Sequence, residues 1–338
     1  MSPLGNTLGT TLVTGATGFV GSAVARALAL RGHPLRVLAR PPSDRRNLAG
    51  LEAEVVTGDL TDPPSLRRAA AGCRFVFHIA ADYRLWVPDP DAMLRANVDG
   101  ALAMLRAAAE AGAERIVHCS SVAALGQIGD GSPADEATPA DEADFVGIYK
   151  RSKYLAERAV LDLARRQSLP VVVVNPSSPV GPRDIKPTPT GKMILDAASG
   201  RLPAYIDTGL NIVHVDDVAE GHVLALERGR VGQRYILGGE NMLLKDILGL
   251  VAELAHRRPP LLRLPEAVVW PAAFAMEKLA RVTGMAPMVT RDHLKMARKK
   301  MFFSSAKAEA ELGYAPRPAR LAVEDAIGWF RANGMLSQ

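Results

Sequence analysis

The run Thr14-Gly15-Ala16-Thr17-Gly18-Phe19-Val20-Gly21 lies between a short apolar stretch and an Ala-rich helical one. In that setting the first glycine permits a tight turn, the second lets backbone approach a ligand, and the third lets a helix close onto a sheet. A helix N-terminus that opens at such a turn faces an anion, here the pyrophosphate of a dinucleotide. The competing reading is a tight strand-to-helix turn that binds nothing. A second constellation is Tyr149-Lys150-Arg151-Ser152-Lys153. Tyr149 and Lys153 fall on one face of a helix. A phenol loses its proton near pH 10, and a neighbouring ammonium favours the phenolate, so Tyr149 is expected to serve as an acid/base near neutrality. Between the two motifs, a strand-like run ends in Cys119-Ser120-Ser121, where a hydroxyl could reach the same substrate oxygen.

The acidic residue that reads the adenosine ribose in most dinucleotide folds belongs about 20 residues after the glycines. Residues 22–43 hold no Asp or Glu, and Arg40 takes the end of the second strand. A guanidinium there suits a 2′-phosphate and favours NADP over NAD, the alternative being a solvated surface arginine.

The elements that must position these residues follow from the hydrophobic pattern. Apolar, β-branched runs at 11–14, 35–39, 54–57, 75–79, 115–119 and 171–174 predict strands. Helical spacing at 20–30, 64–71, 91–111 and 149–166 predicts the crossover helices between them. Alternation of this kind predicts an α/β fold with a doubly wound parallel sheet, a Rossmann fold. Pro176, Pro179, Pro182, Pro187 and Pro189 then predict a loop-rich stretch. Sheet-like elements return at 212–215 and 235–237 with a helix at 218–227, and the remainder reads as helical, including 247–255, 266–282 and 291–297. The expected division is a dinucleotide domain over 1–176 with return elements at 211–238. A smaller, discontinuous, mostly helical C-terminal lobe over 177–210 and 239–338 would bind substrate.

Composition narrows the functional classes. The 338 residues are 48% hydrophobic and 23% charged, which fits a folded protein. The 41 Lys+Arg against 36 Asp+Glu leave +5, spread too thinly to point to nucleic acid. Two cysteines, Cys73 and Cys119, build neither a zinc cluster nor a disulfide framework, so no metal is expected and a reduced cytoplasmic compartment is the simplest reading. Neither a signal peptide nor a membrane-spanning stretch is read. Leu262, Leu264, Val268, Val269, Trp270, Phe274, Met276, Leu279 and Val282 form a broad apolar surface with Arg281, Lys295, Arg298, Lys299 and Lys300 nearby. This surface suits a pocket wall, peripheral contact with an anionic membrane, or an ordinary core helix with a basic rim.

Taken together, TGATGFVG, the Ser120-Ser121 strand end and YKRSK resemble the extended short-chain dehydrogenase/reductase family over nearly the whole chain. The resemblance implies Tyr149 as acid/base, Lys153 as its ribose-binding partner, and Ser121, placed five residues before Gly126, as the hydroxyl on the substrate oxygen, with Ser120 a competitor. It places Thr17, Phe19 and Val20 with the glycines around the cofactor, Asp59 and Leu60 at the adenine, His78 to Ala81 along the cofactor, Asn97 behind the site and Pro176 beside the nicotinamide. Asp59 also reads as part of a helix cap, and His78 as a satisfied strand-end histidine.

The stretches 80–86, 175–191 and 299–303 are similar to hopanoid-associated sugar epimerases and, more loosely, to dihydroflavonol reductases. That similarity implies hydride transfer at a secondary alcohol or ketone of a small-molecule or lipid-linked substrate, either as epimerase or as reductase, and a homodimer through the helices at 91–111 and 149–166. One departure stands out. Nucleotide-sugar epimerases carry an arginine where this chain has Leu210, in Leu210-Asn211-Ile212-Val213-His214-Val215-Asp216-Asp217, which favours a more apolar substrate. A rival from another class is a non-catalytic cofactor-sensing or lipid-binding protein, which would have no use for an activated phenol.

Overall fold

The structure, a computed structural model, describes residues 9–84, 87, 89–265, 270, 271, 273, 274, 276 and 300–336. The helix expected at 291–297, most of that at 266–282, Leu85, Trp86 and Lys299 lie outside the described residues.

Seven strands form the main sheet: β1 (Thr11–Thr14), β2 (Leu35–Ala39), β3 (Ala53–Thr57), β4 (Phe75–His78), β5 (Arg115–Cys119), β6 (Val171–Pro176) and β10 (Arg234–Leu237). Their order is β3-β2-β1-β4-β5-β6-β10 and every pairing is parallel. Strands β1, β4 and β6 are buried along their whole length, which is why apolar residues dominate them. On one face lie α1 (Phe19–Leu30) and α7 (Val215–Arg228), packed with Val13, Phe75, Phe77, Val117 and Val174. On the other lie α2 (Pro63–Ala70), α4 (Gly100–Glu110) and α5 (Ile148–Gln167), packed with Leu12, Val76, Ile116 and Val171. The chain runs from β1 toward β2 on one side and toward β4 on the other, so a crevice opens above the C-terminal ends of β1 and β4.

The expected helix at 91–111 is instead α3 (Pro90–Leu94), a π segment over Arg95–Asp99, and α4. The expected loop after Asn175 contains β7 (Ser178–Val180) and the helix α6 (Pro189–Ala198). Pro189 opens that helix rather than breaking it, because the first helical position needs no backbone N–H and proline presets its φ. The strand expected at 212–215 is β9 (Gly209–His214), and Val215 already belongs to α7.

Beside the main sheet, β7, β9 and β11 (Glu240–Leu243) form a second sheet, with β9 parallel to β7 and antiparallel to β11. It shares a core with α6, α8 (Leu244–Leu254) and α10 (Ala319–Ala332), filled by Ile194, Ile247, Val251, Val323, Ile327 and Phe330. A short parallel pair, β8 (Ala204–Tyr205) with β12 (Leu262–Arg263), flanks this lobe. The helix α9 (Ala306–Leu312) instead docks on the main-sheet core through Ala308 and Leu312. Among the described residues, no helix is long and apolar enough to cross a membrane.

Candidate active site

The glycine turn is built by contacts that a side chain would destroy. Gly15 has φ +77, and a Cβ there would stand 2.8 Å from the Ala80 amide nitrogen. A Cβ on Gly21 would stand 2.1 Å from the Gly15 carbonyl oxygen, so the start of α1 can close on the turn with glycine alone. Gly18 is exposed and caps α1 with no side-chain bond and no acidic residue in the first turn, which leaves the helix N-terminus to an external anion. Thr17, Phe19 and Val20 surround it, partly exposed. Thr14 locks the turn to β4: its hydroxyl accepts from the amides of Ile79 (3.0 Å) and Ala80 (3.1 Å) and bonds His78 Nδ1 at 2.9 Å. Ala80 therefore lines the turn, whereas His78 is buried beneath it, satisfied by Thr14, and pushed by burial down to about 3.

At the far end of the crevice, Arg40 is exposed and its Nε lies 4.0 Å from Asp59. Burial pushes the Asp59 carboxyl up, but bonds from the Thr61 amide and hydroxyl, with Arg40 nearby, hold it below its ordinary value. Asp59 thus orders the turn before α2. Leu60 packs beside Gly100 of α4.

Tyr149 is the second residue of α5, after the Gly147 cap and Ile148, and Lys153 and Glu157 follow it on the same face. Lys153 is buried and its Nζ donates to the Cys119 carbonyl at 3.1 Å. Ser121 accepts from the Ala123 amide at 3.1 Å, and its hydroxyl lies close enough to the Tyr149 phenol to pull the phenol's pKa down. The Ser120 hydroxyl is buried without a protein partner, so of the two serines Ser121 is the one that meets the phenol. Asn97, in the π segment, braces the start of α5. Its Oδ1 accepts from Asp82 N (2.7 Å), and its Nδ2 donates to Asp82 O (2.8 Å) and to Ser152 Oγ (3.0 Å). Ser152 in turn donates to the Tyr149 carbonyl at 2.8 Å. Pro176 closes β6, buried, beside this cluster.

Burial pushes the Tyr149 phenol above its ordinary value, partly countered by Ser121. The Lys153 ammonium is itself pushed down by burial, opposed by Cys119 and Glu157. In both groups burial is the largest influence.

Four residues were given no role from the sequence: Asn47, Arg183, Glu157 and Asn175. Asn47, buried in the turn after β2, donates through Nδ2 to the carbonyls of Thr17 (3.3 Å), Gly18 (3.3 Å) and Arg183 (3.2 Å), tying the glycine turn to the small lobe. Arg183 holds φ +75 and pairs with Asp216. Glu157 and Asn175, both buried, bond each other behind Ser121. The presence of a buried acid four residues after Lys153 was the available signal for Glu157.

Comparison with known proteins decides the family. Residues 11–238 match the model of the NAD dependent epimerase/dehydratase family. The chain belongs to that family. As a member of these extended short-chain dehydrogenases/reductases it is an NAD(P)-dependent enzyme on a Rossmann-type sheet. A putative dihydroflavonol 4-reductase from Synechocystis is 42% identical over 95% of this chain and 94% of its own length. Sterol demethylase protein B from Methylococcus capsulatus is 33% identical over 97% of this chain and 100% of its own. The crystal structure of gox2253 is 61% identical, covers 97% of this chain and 99% of its own, and superposes with a TM-score of 0.88.

Proposed function

We propose that this family member is an NADPH-dependent reductase of a ketone or aldehyde carried on a largely apolar small molecule. The observation that carries the reading is the meeting of Ser121, Tyr149 and Lys153 at the C-terminal end of β5, two strands from the glycine turn that ends β1, with Lys153 bonded to the Cys119 carbonyl. The backbone cradle at Gly15, Gly18 and Gly21, with the uncapped first turn of α1, fits the pyrophosphate, and Arg40 suits a 2′-phosphate. Bound there, the nicotinamide would supply hydride to the carbonyl carbon. Ser121 and Tyr149 would hold the carbonyl oxygen, and Tyr149 would deliver the proton. A phenol held above its ordinary pKa keeps that proton at neutral pH, which suits the reducing direction. Lys153 would hold the ribose.

The substrate side supports an apolar ligand. Leu210 pairs with Met242 in the second sheet and bridges to Met301, where nucleotide-sugar epimerases carry a cation. Two relatives bearing dihydroflavonol reductase and sterol demethylase names lean the same way. We assign substrate binding to 177–210 and 239–338, and a homodimer to α4 and α5, which sedimentation would check.

Stoichiometric loss of NADPH absorbance with a panel of apolar ketones and aldehydes is expected, and Tyr149→Phe should abolish it while NADPH affinity changes less than about twofold. Turnover to an isobaric product without NADPH loss would instead establish a second reading, epimerisation of a hopanoid-related or lipid-linked sugar. The resemblance of residues 181–191 supports that reading, and it uses the same residues. Unchanged turnover in Tyr149→Phe would overturn both.

A further inference from the structure

Glu157 lies one helical turn beyond Lys153 and is 2% exposed. A buried carboxylate is costly unless its oxygens are paired, and here both are. Its Oε1 meets Arg234 at 2.8 Å, and its Oε2 accepts from Asn175 Nδ2 at 2.5 Å. The same Asn175 amide donates to the Ser121 carbonyl at 3.0 Å. Arg234 is held from behind by its second nitrogen, which donates to the Glu136 carbonyl at 2.5 Å. A chain of bonds thus runs from β10 through α5 and β6 to the backbone of the serine that meets the phenol.

We propose that Glu157 is a positioning residue that acts on two neighbours at once. Through Asn175 it fixes the backbone of Ser121, and by its charge it keeps Lys153 protonated in a dry site. This rests on the reading of Ser121 and Lys153 given above. The charge role follows from what surrounds the ammonium. Facing Lys153 are Cys119 and His118 from β5, His78 from β4 and Glu157 from its own helix. Burial holds both histidines neutral and pushes the Cys119 thiol up to about 11, so none of these three carries charge near pH 7. Among the described residues, Glu157 is the formal anion that opposes desolvation of the lysine. Arg234 pairs with Glu157 Oε1 from the β10 side, and its side chain is 31% exposed, where water screens it.

The test uses the full chain, with NADPH titrations and carbonyl-reduction assays run across pH. Glu157→Gln should move the alkaline limb of both NADPH affinity and kcat down by about one pH unit and lower kcat about tenfold. Glu157→Asp, which keeps the charge, should restore the limb. Asn175→Ala should lower kcat with its limb unmoved, because it removes the donor shared by Ser121 and Glu157 Oε2 while the Glu157 carboxylate and its Arg234 pair stay in place. A Glu157→Gln limb at the wild-type pH would overturn the proposal, as would an equal displacement in Glu157→Asp. Should Glu157→Gln fail to fold, Asn175→Ala decides, and a kcat within about twofold of wild type would overturn the positioning role. If the wild type reduces no carbonyl, the functional reading fails by itself, and the pH limb of NADPH affinity still tests Glu157.

Discussion

Gly18 and Gly21 belong to one turn, yet substitution by alanine should separate binding from stability. A Cβ on Gly21 meets the Gly15 oxygen at 2.1 Å, the Gly15 carbonyl carbon at 2.5 Å and the Ala16 nitrogen at 2.9 Å. All three are backbone atoms that cannot swing aside, so the start of α1 must retreat by about 1 Å, and overpacking of this kind costs about 1–3 kcal/mol. At Gly18, with φ −89, the nearest atom is the Gly15 oxygen at 3.2 Å, and alanine can adopt that backbone. The expected stability cost is below about 1 kcal/mol, mainly from a poorer helix cap. The methyl would instead stand where the pyrophosphate must approach. Losing one charge-assisted contact there is worth about 1.5–3 kcal/mol, or about ten- to a hundredfold in Kd. Thermal unfolding and NADPH titration by fluorescence, run on both variants, check this. Gly18→Ala should keep its Tm and lose affinity, while Gly21→Ala should lose both. Wild-type NADPH affinity in Gly18→Ala would refute the placement of the cofactor on this turn.

Arg40→Ala should reduce the NADPH over NADH preference in kcat/KM by about tenfold, since among the described residues the guanidinium has no counter-charge closer than Asp59 at 4.0 Å; equal losses with both cofactors would remove Arg40 as the phosphate reader. Asn47→Ala deletes the shared donor to Thr17, Gly18 and Arg183, so KM for cofactor and for carbonyl substrate should rise together, and a change confined to one of them would contradict a tie between turn and lobe. Asp184 is pushed by burial from 3.8 to about 6, opposed by bonds from the Thr188 amide and hydroxyl. A carboxyl raised in the folded state favours folding below its unfolded pKa and loses that contribution as pH climbs through the folded value. Wild-type stability should therefore fall between about pH 4 and 6, by at most about 3 kcal/mol. Asp184→Asn should escape that fall, so its Tm should gain on wild type between pH 4 and 7.5, and a constant gap across that range would refute the assignment.

The main sheet was legible because parallel strands buried on both faces are mostly apolar and β-branched, and β1, β2 and β5 fall where the runs predicted. The prolines after Asn175 misled because proline disrupts a helix interior yet suits its first turn, and spacing alone does not say which of the two Pro189 occupies. The π segment was hidden for a related reason: one extra residue in a turn leaves the apolar pattern of 91–111 nearly unchanged, although it carries Asn97 behind Tyr149.

Within the site, legibility divides by the range of the interaction. Tyr149 and Lys153 share a helix face, so their adjacency is written in their spacing. The Arg234 partner of Glu157 lies 77 residues away, and the Arg183 carbonyl that Asn47 meets lies 136 away, so each pairing exists only once the sheet order has brought β10 beside β6 and the small lobe against the glycine turn. The phenol's pKa belongs with these long-range properties. Its neighbours were readable, but its direction depends on how much water the assembled elements exclude, and that exclusion drives Tyr149 upward and Lys153 downward together. A site that makes the acid reluctant to lose its proton and the amine reluctant to keep one needs a fixed anion near the amine, and the fold brings a buried Glu157 there.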